Sequence, residues 1–153
     1  MLSTRTGKIT INSPIYNASG VGCQTHEELK QLDDNLYAGA ALSKSTTLYP
    51  REGNLKPRYW DDKKTRSINS SGLPNKGYNY YLNEEFIESL TQPYIVSISG
   101  TSFEDNLSII NLASKSNISG IELNLSCPNI IGKPQIGYDY EAMEKLAMQL
   151  NVM

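Results

Sequence analysis

The stretch QPYIVSISGTSFEDNLSIINLASKSNISGIELNLS, residues 92–126, decides the predicted fold. Its first part is an apolar run that ends at Gly100, and its last part, ISGIELNLS, is a second run of the same kind. Between them, Ser102 and Asp105 fit the capping box that begins a helix. A strand, a helix and a second strand in this order are typical of a parallel βαβ unit.

Two further strand–helix pairs precede this unit. The run SPIYNASG, residues 13–20, is followed by Thr25 and Glu28, a capping-box pair that begins a helix extending to about Leu32. The run YAGAALSKS predicts a buried strand of small residues, and YYLNEEFIESL predicts the helix that follows it. Upstream of both pairs, the alternating run KITINS predicts a hairpin arm or an edge strand.

The chain ends in a predicted helix that begins at Tyr140 and carries an apolar stripe. The complete order is four βα units with parallel strands, and the apolar runs indicate that both faces of the sheet are covered. An eight-unit barrel typically needs ~250 residues, whereas this chain has 153. The sequence therefore predicts an α/β fold, the N-terminal half of a (β/α)8 TIM barrel. This is a single domain over residues 1–153, truncated after about four βα units, and a smaller open sheet is the alternative.

A long loop after the second strand, residues 48–83, separates that strand from its helix. Loops of this length are uncommon unless they are functional. The segment from Lys44 to Lys76 carries eight of the fourteen Lys and Arg residues against three acidic ones. We interpret these charges as a solvated excursion over the top of the barrel.

The composition excludes several classes of protein. A net charge of −2 disfavours nucleic-acid binding. No run approaches the ~18 apolar residues of a membrane span. The N-terminus lacks the apolar core of a signal peptide, so we expect a cytoplasmic protein. One histidine and no CxxC pair disfavour a metal site. We expect that histidine, His26, to be solvated and Cys23 to be a buried structural cysteine.

The hexapeptide NLSCPN, Asn124–Asn129, ends the last predicted strand with a thiol between two amides. Cys127 lies at the tip of the apolar run rather than within it, which indicates a reactive rather than a structural cysteine. The carboxyl ends of parallel strands meet at one edge of the fold. We therefore expect Lys44, Asn69 and the two asparagines of this hexapeptide to share one rim with Cys127.

These motifs resemble one family over essentially the whole chain. NLSCPN followed by GKPQ, with SKSTTLYPREGN, PRY and SINSSGLPNKGYNYYL upstream, is similar to the soluble, class 1A dihydroorotate dehydrogenases. The resemblance implies an FMN-dependent (β/α)8 barrel that oxidises dihydroorotate to orotate in pyrimidine (UMP) biosynthesis. It also implies fumarate as the electron acceptor and a homodimeric assembly.

The resemblance further implies roles for individual residues. Cys127 is expected to be the general base that removes the C5 proton while a hydride passes to FMN. The residues expected to contact FMN are Ala18, Ser19, Gly20, Lys44, Ser45 and Asn124. The residues expected to contact the substrate are Lys44, Asn69, Ser70, Ser71, Gly72, Leu73, Asn124 and Asn129. Ser71 stands where the family commonly has methionine, so we expect it to act through its main chain.

The loop from Pro128 to Gly137 resembles a lid over the substrate, with Gly132 and Gly137 as hinges. Three other interpretations stay open: a class 1B-like dihydroorotate or dihydropyrimidine dehydrogenase, a noncatalytic half-barrel, and a cysteine-nucleophile hydrolase. The last lacks a histidine placed to activate the thiol. Because phosphate commonly binds after strands 7 and 8 of such barrels, we expect the 153-residue chain alone to bind FMN poorly.

Overall fold

A computed structural model describes residues 3–130, 132 and 135–150 of the chain. The strands are β1 (Thr4–Thr6), β2 (Ile9–Ile11), β3 (Ala41–Leu42), β4 (Tyr59–Asp61), β5 (Ser67–Asn69), β6 (Tyr94–Ile98) and β7 (Gly120–Leu123). The helices are α1 (His26–Asp33), α2 (Tyr78–Tyr81), α3 (Glu84–Glu88), α4 (Phe103–Ala113) and α5 (Tyr140–Leu150).

The central sheet is parallel and has the strand order β3–β6–β7. Helix α4 connects β6 to β7, so the βαβ unit predicted for residues 92–126 is confirmed. Two antiparallel hairpins, β1–β2 and β4–β5, lie outside this sheet. The first of them confirms that KITINS is a hairpin arm. The described residues form an open α/β arrangement without a closed barrel, which fits part of a (β/α)8 barrel.

The two helix starts predicted from capping-box pairs are confirmed. Ser102 caps α4, because its hydroxyl accepts from the amide of Asp105 at 3.0 Å. Thr25 caps α1 through a reciprocal box, in which the Glu28 amide donates to the Thr25 hydroxyl and the Glu28 carboxylate accepts from the Thr25 amide. These caps satisfy main-chain donors that have no partner within a helix.

The core lies between the central sheet and its helices. Val96 and Ile98 of β6 and Ile109 of α4 are fully buried in it, together with Leu29 of α1. Cys23 joins the same cluster and is also fully buried, which confirms the structural role expected of it. The packing of apolar side chains therefore fixes the sheet relative to α1 and α4.

Strand β7 differs from the prediction that both faces of the sheet are covered. It is one of the two edge strands of the described sheet, and Ile121 is 37% exposed. Its apolar sequence indicated a covered strand, but coverage depends on neighbours that are distant in sequence.

The prediction of a strand in SPIYNASG is wrong, because residues 13–20 are irregular. The Gly39 amide donates to the Ile15 carbonyl, and the Asn17 side chain pairs with both the amide and the carbonyl of Leu42. Pro14 has no amide hydrogen to give to a ladder. A side-chain amide thus replaces a peptide group beside β3.

The connection 48–83 contains more regular structure than predicted. It includes the β4–β5 hairpin and α2, and the helix predicted from residue 80 is broken by Asn83, whose side chain caps α3. We call residues 48–77 the excursion. Asn75 holds its base, since its amide oxygen accepts from the amides of Thr47 and Gly77 and its nitrogen donates to the Leu73 carbonyl.

The prediction that His26 is solvated is wrong. Its ring stacks between Tyr80 and Phe86, with centroid distances of 3.9 Å and 3.8 Å. Its Nε2 atom lies 2.8 Å from the Tyr80 carbonyl oxygen. The tertiary contact between α1, α2 and α3 decided this environment, which the helix-start sequence did not indicate.

Helix α5 begins at Tyr140 as predicted and buries Leu146. The predicted end of this helix, residues 151–153, lies outside the described residues. Within the ranges that the structure describes, no helix has both the length and the apolarity of a membrane span.

Candidate active site

The strands β3, β6 and β7 end at the same edge of the parallel sheet. Beyond their ends the ladder continues, because the Thr46 amide donates to the Ser97 carbonyl and the Asn124 amide donates to the Ile98 carbonyl, each at 2.8 Å. This continuation places Ser45, next to Lys44, beside Asn124. Two segments from which cofactor contacts were expected therefore meet at one edge.

A chain of hydrogen bonds runs across this edge through residues that we call the inner cluster: Ser19, Ser45, Ser97, Glu122 and Asn124. The Ser45 hydroxyl lies 2.9 Å from the hydroxyls of both Ser19 and Ser97, and it accepts from the Asn124 amide nitrogen at 3.1 Å. Ser97 donates to the Glu122 carboxylate at 3.0 Å. A carboxylate only accepts hydrogen bonds, so the Ser97 hydroxyl proton points to Glu122. The Ser45 hydroxyl must therefore donate to Ser97, and the Ser19 hydroxyl must donate to Ser45.

A cavity of about 630 Å³ lies beside the inner cluster. Its lining includes Ala18, Ser19, Glu122 and Asn124. The lining thus includes two segments that are far apart in sequence and carry predicted cofactor contacts, residues 16–19 and 122–126. A polar wall of this kind orients a ligand by hydrogen bonds.

A second group of polar residues, the outer cluster, joins the excursion to the loop after β7. Its members are Asn69, Ser70, Ser71 and Asn129. The Asn129 amide nitrogen donates to the Asn69 amide oxygen at 3.1 Å, and the same oxygen accepts from the amide and the hydroxyl of Ser71. Tertiary contact has therefore brought together amides that are 60 positions apart in sequence.

Cys127 lies between the two clusters along the chain, after Asn124 and before Asn129, and it is partly exposed. Cys23 contrasts with it, because burial raises the pKa of the Cys23 thiol. Lys44 is half-buried, and its ammonium group forms no hydrogen bond with the residues that the structure describes. One cysteine is accessible for chemistry and the other is not.

The family model described as dihydroorotate dehydrogenase matches residues 1–152. The chain belongs to the dihydroorotate dehydrogenase family. It is 46% identical to dihydroorotate dehydrogenase A (fumarate) of Lactococcus lactis subsp. lactis, over 98% of this chain and 49% of that protein.

Two fungal proteins named dihydroorotate dehydrogenase (fumarate) match similarly. The identity is 45% to that of Lachancea kluyveri, over 90% of this chain and 45% of the relative. The identity to the protein of Saccharomyces mikatae is 46%, over 92% of this chain and 46% of that relative. The resemblance to fumarate-type dihydroorotate dehydrogenases is confirmed, and the chain spans about half the length of these relatives.

Sequence reasoning missed Ser97 and Glu122 of this family member. Both are polar residues inside otherwise apolar strand runs, YIVSI and GIEL, and Ser97 is fully buried. A polar side chain within a buried strand needs a hydrogen-bonding partner. The sequence therefore indicated that Ser97 needs a partner, but it did not indicate which residue the partner is.

Ser99 is a third polar residue that sequence reasoning missed. It follows β6 directly, and its side chain shares the face of Ser97 because strand side chains alternate. It is 1% exposed, and its hydroxyl has no hydrogen-bond partner among the described residues. A buried hydroxyl without a partner among the described residues has hydrogen-bonding capacity left at the edge where the strands end.

The predicted substrate segment also contains unusual backbone. Gly72 and the adjacent Leu73 have φ values of +71° and +54°, and Leu73 is buried. A left-handed conformation is uncommon for leucine, and such conformations concentrate at functional sites. The Asn75 amide holds the Leu73 carbonyl in place.

The predicted lid, residues 128–137, lies partly outside the described residues, since 131, 133 and 134 are not among them. Of its predicted hinges, Gly132 has a φ of +76°, which glycine adopts without strain. The amide of Gly137 donates to the Leu125 carbonyl at 2.9 Å.

Proposed function

We propose that this chain forms part of an FMN-dependent dihydroorotate dehydrogenase that oxidises dihydroorotate to orotate in pyrimidine biosynthesis. The observation that carries the proposal is the position of Cys127. Its thiol is accessible on a loop whose flanking asparagines belong to the inner and outer clusters. Membership of the dihydroorotate dehydrogenase family supports the choice of substrate.

The inner cluster fits a flavin. Ser19, Glu122 and Asn124 of this cluster line one wall of a cavity, and the buried Ser99 hydroxyl lacks a partner among the described residues. The residues proposed to hold FMN are Ala18, Ser19, Gly20, Lys44, Ser45 and Asn124. When bound, FMN supplies the hydride acceptor, which no side chain can provide. The lysine ammonium stabilises the negative charge of the substrate carboxylate at this edge.

The outer cluster fits a pyrimidine ring. The Asn69 amide nitrogen and the Asn129 amide oxygen have no hydrogen-bond partners among the described residues, and they belong to two side chains already in contact. One donor beside one acceptor complements the C=O and N–H groups of a cyclic imide. The residues proposed to bind substrate are Lys44, Asn69, Ser70, Ser71, Gly72, Leu73, Asn124 and Asn129.

Cys127 is the proposed general base. Its thiolate removes the proton from C5 of dihydroorotate, while the asparagines hold the ring in register with the cofactor. Oxidation of one molecule of substrate would thus leave orotate and one proton on the Cys127 sulfur, and FMN, when bound, would supply the acceptor for the hydride. We further propose fumarate as the electron acceptor, a homodimeric assembly, a cytoplasmic location and one barrel domain that includes residues 1–153.

The test uses the protein as the cell makes it, purified and loaded with FMN. Anaerobic mixing with dihydroorotate should bleach the flavin absorbance and release about one orotate for each flavin reduced. Addition of fumarate should then restore the oxidised flavin spectrum. If dihydroorotate leaves the flavin oxidised, the proposed function is wrong, and the noncatalytic interpretation replaces it.

A further inference from the structure

We propose that Asn54 is a positioning residue that fastens the loop carrying Cys127 to the substrate-binding segment of the excursion. Its effect on catalysis rests on the proposed function, whereas its effect on the loop does not. Asn54 lies in the excursion, 75 positions from Asn129, and sequence reasoning assigned it no role.

The Asn54 side chain uses its amide nitrogen for two carbonyl groups that belong to different segments of the outer cluster. It donates to the Ser70 carbonyl and to the Asn129 carbonyl, each at 2.9 Å. Its main-chain amide donates in addition to the Ser71 carbonyl at 3.0 Å. One residue therefore holds two consecutive residues of the substrate segment and one residue of the loop after β7.

The close approach of these segments shows that the contact is built into the backbone. A methyl group on Gly72 would collide with the side chain and the amide nitrogen of Asn54. A methyl group on Gly53 would collide with the Ser71 carbonyl. Glycine at both positions lets these two segments of the chain approach each other closely enough for Asn54 to contact both.

The choice of main-chain carbonyls has a consequence for catalysis. The direct bond between Asn69 and Asn129 joins side chains that the pyrimidine ring is proposed to use. Asn54 holds Asn129 by its carbonyl instead, so this bond persists when the Asn129 side chain turns to the substrate. Since Cys127 lies two residues away, Asn54 sets how closely the thiol approaches the bound ring.

The first experiment measures the reactivity of the two cysteines in the purified chain and in its Asn54→Ala and Asn54→Asp variants. Iodoacetamide labelling followed by peptide mass spectrometry separates Cys127 from Cys23. Both substitutions remove the donors that hold Ser70 and Asn129. We expect Cys127 in the alanine variant to react about tenfold faster, because the hydrogen bond from Asn54 to the Asn129 carbonyl, which opposes loop opening, is lost. In the aspartate variant, the backbone amides near Asn129 should exchange hydrogen for deuterium faster than in the parent, because the loop is less tightly held.

The control is Asn111→Asp, a change at an exposed residue of α4, which should leave both rates unchanged. Cys23 should stay protected in every variant, since it is fully buried in the core. Unchanged Cys127 labelling in Asn54→Ala would overturn the proposal. Simultaneous exposure of Cys23 in either Asn54 variant would also overturn it, because the effect would then be general unfolding.

The second experiment measures steady-state kinetics in the FMN-loaded protein. We expect Asn54→Ala to lower kcat by about 10–100-fold and to change KM by less, because a misplaced base slows proton removal more than it weakens ring binding. A rise in KM with unchanged kcat would overturn the assignment to the Cys127 loop. If the protein reduces no flavin at all, the labelling result still decides whether Asn54 fastens the loop.

Discussion

The central sheet and the excursion hold their candidate site residues by different means. Val96 and Ile98 of the sheet are fully buried, whereas Trp60 and Ile68 of the excursion are 56% and 68% exposed. The sheet positions the inner cluster by apolar packing. The excursion positions the outer cluster by amide side chains that bind main-chain groups, as Asn75 does at its base. The candidate site lies where the packed sheet meets the hydrogen-bonded excursion.

The largest expected effect is at Cys127, on the sheet side of the site. In the FMN-loaded protein, Cys127→Ala should lower the rate of flavin reduction by ~10²–10⁴, the usual contribution of a positioned general base. FMN and orotate should bind nearly as before, because the amides and Lys44 remain. Anaerobic stopped-flow reduction by dihydroorotate gives the rate, and a parental rate in the variant would show that Cys127 is not the base.

The same substitution in the two regions tests the difference in packing. Ile98→Ala should lower the free energy of unfolding by about 2–5 kcal/mol, because it opens a cavity in the core. Ile68→Ala should change it by no more than about 0.5 kcal/mol, since that side chain is mostly in water. Urea unfolding of both variants measures the contrast, and equal losses would mean that the excursion packs as the sheet does.

Asp33 makes stability depend on pH in the sheet region. Burial acts to raise the pKa of this carboxyl, but the bonds from Lys30 and from the amides of Gln92 and Thr91 outweigh it, so its pKa is lowered. A lowered pKa stabilises the fold above the unfolded value of about 3.9, and this contribution is lost as the pH falls below it. Asp33→Asn should therefore cost about 1–3 kcal/mol at pH 7.

The control for Asp33 is the same pair of proteins at low pH. The difference in unfolding free energy between parent and Asp33→Asn should shrink steadily as the pH falls through the acid range, because the parent's carboxyl then becomes neutral as well. A difference that is independent of pH would assign the loss to changed packing rather than to charge.

The smallest expected effect is at Asn69, on the excursion side of the site. Asn69→Ala should raise the KM for dihydroorotate by about tenfold and lower kcat less, because it removes ring-binding groups and leaves the base in place. The exposed substitution Ile68→Ala, its neighbour in β5, is the matched control. If kcat falls as far as in Cys127→Ala, the division between a binding side and a chemical side is wrong.

Several parts of this organisation could be predicted from short-range patterns. The caps at Thr25 and Ser102, the βαβ unit and the position of Cys127 after β7 depend on residues a few positions apart. The prediction failed where a distant partner decided the outcome. Residues 13–20 form no strand, and the Asn17 side chain instead bonds to the main chain of Leu42, which is 25 positions away.

The sequence by itself determined the βαβ unit, the helix starts at Thr25 and Ser102 and the family, because capping, periodicity and motif spacing are local properties of the chain. Only the tertiary structure decided which polar groups meet. The bonds from Ser97 to Glu122 and from Asn54 to Asn129 cross between segments that share no pattern. Hydrogen bonds between side chains and distant main-chain groups depend on the angle and distance that packing imposes, and a sequence contains neither.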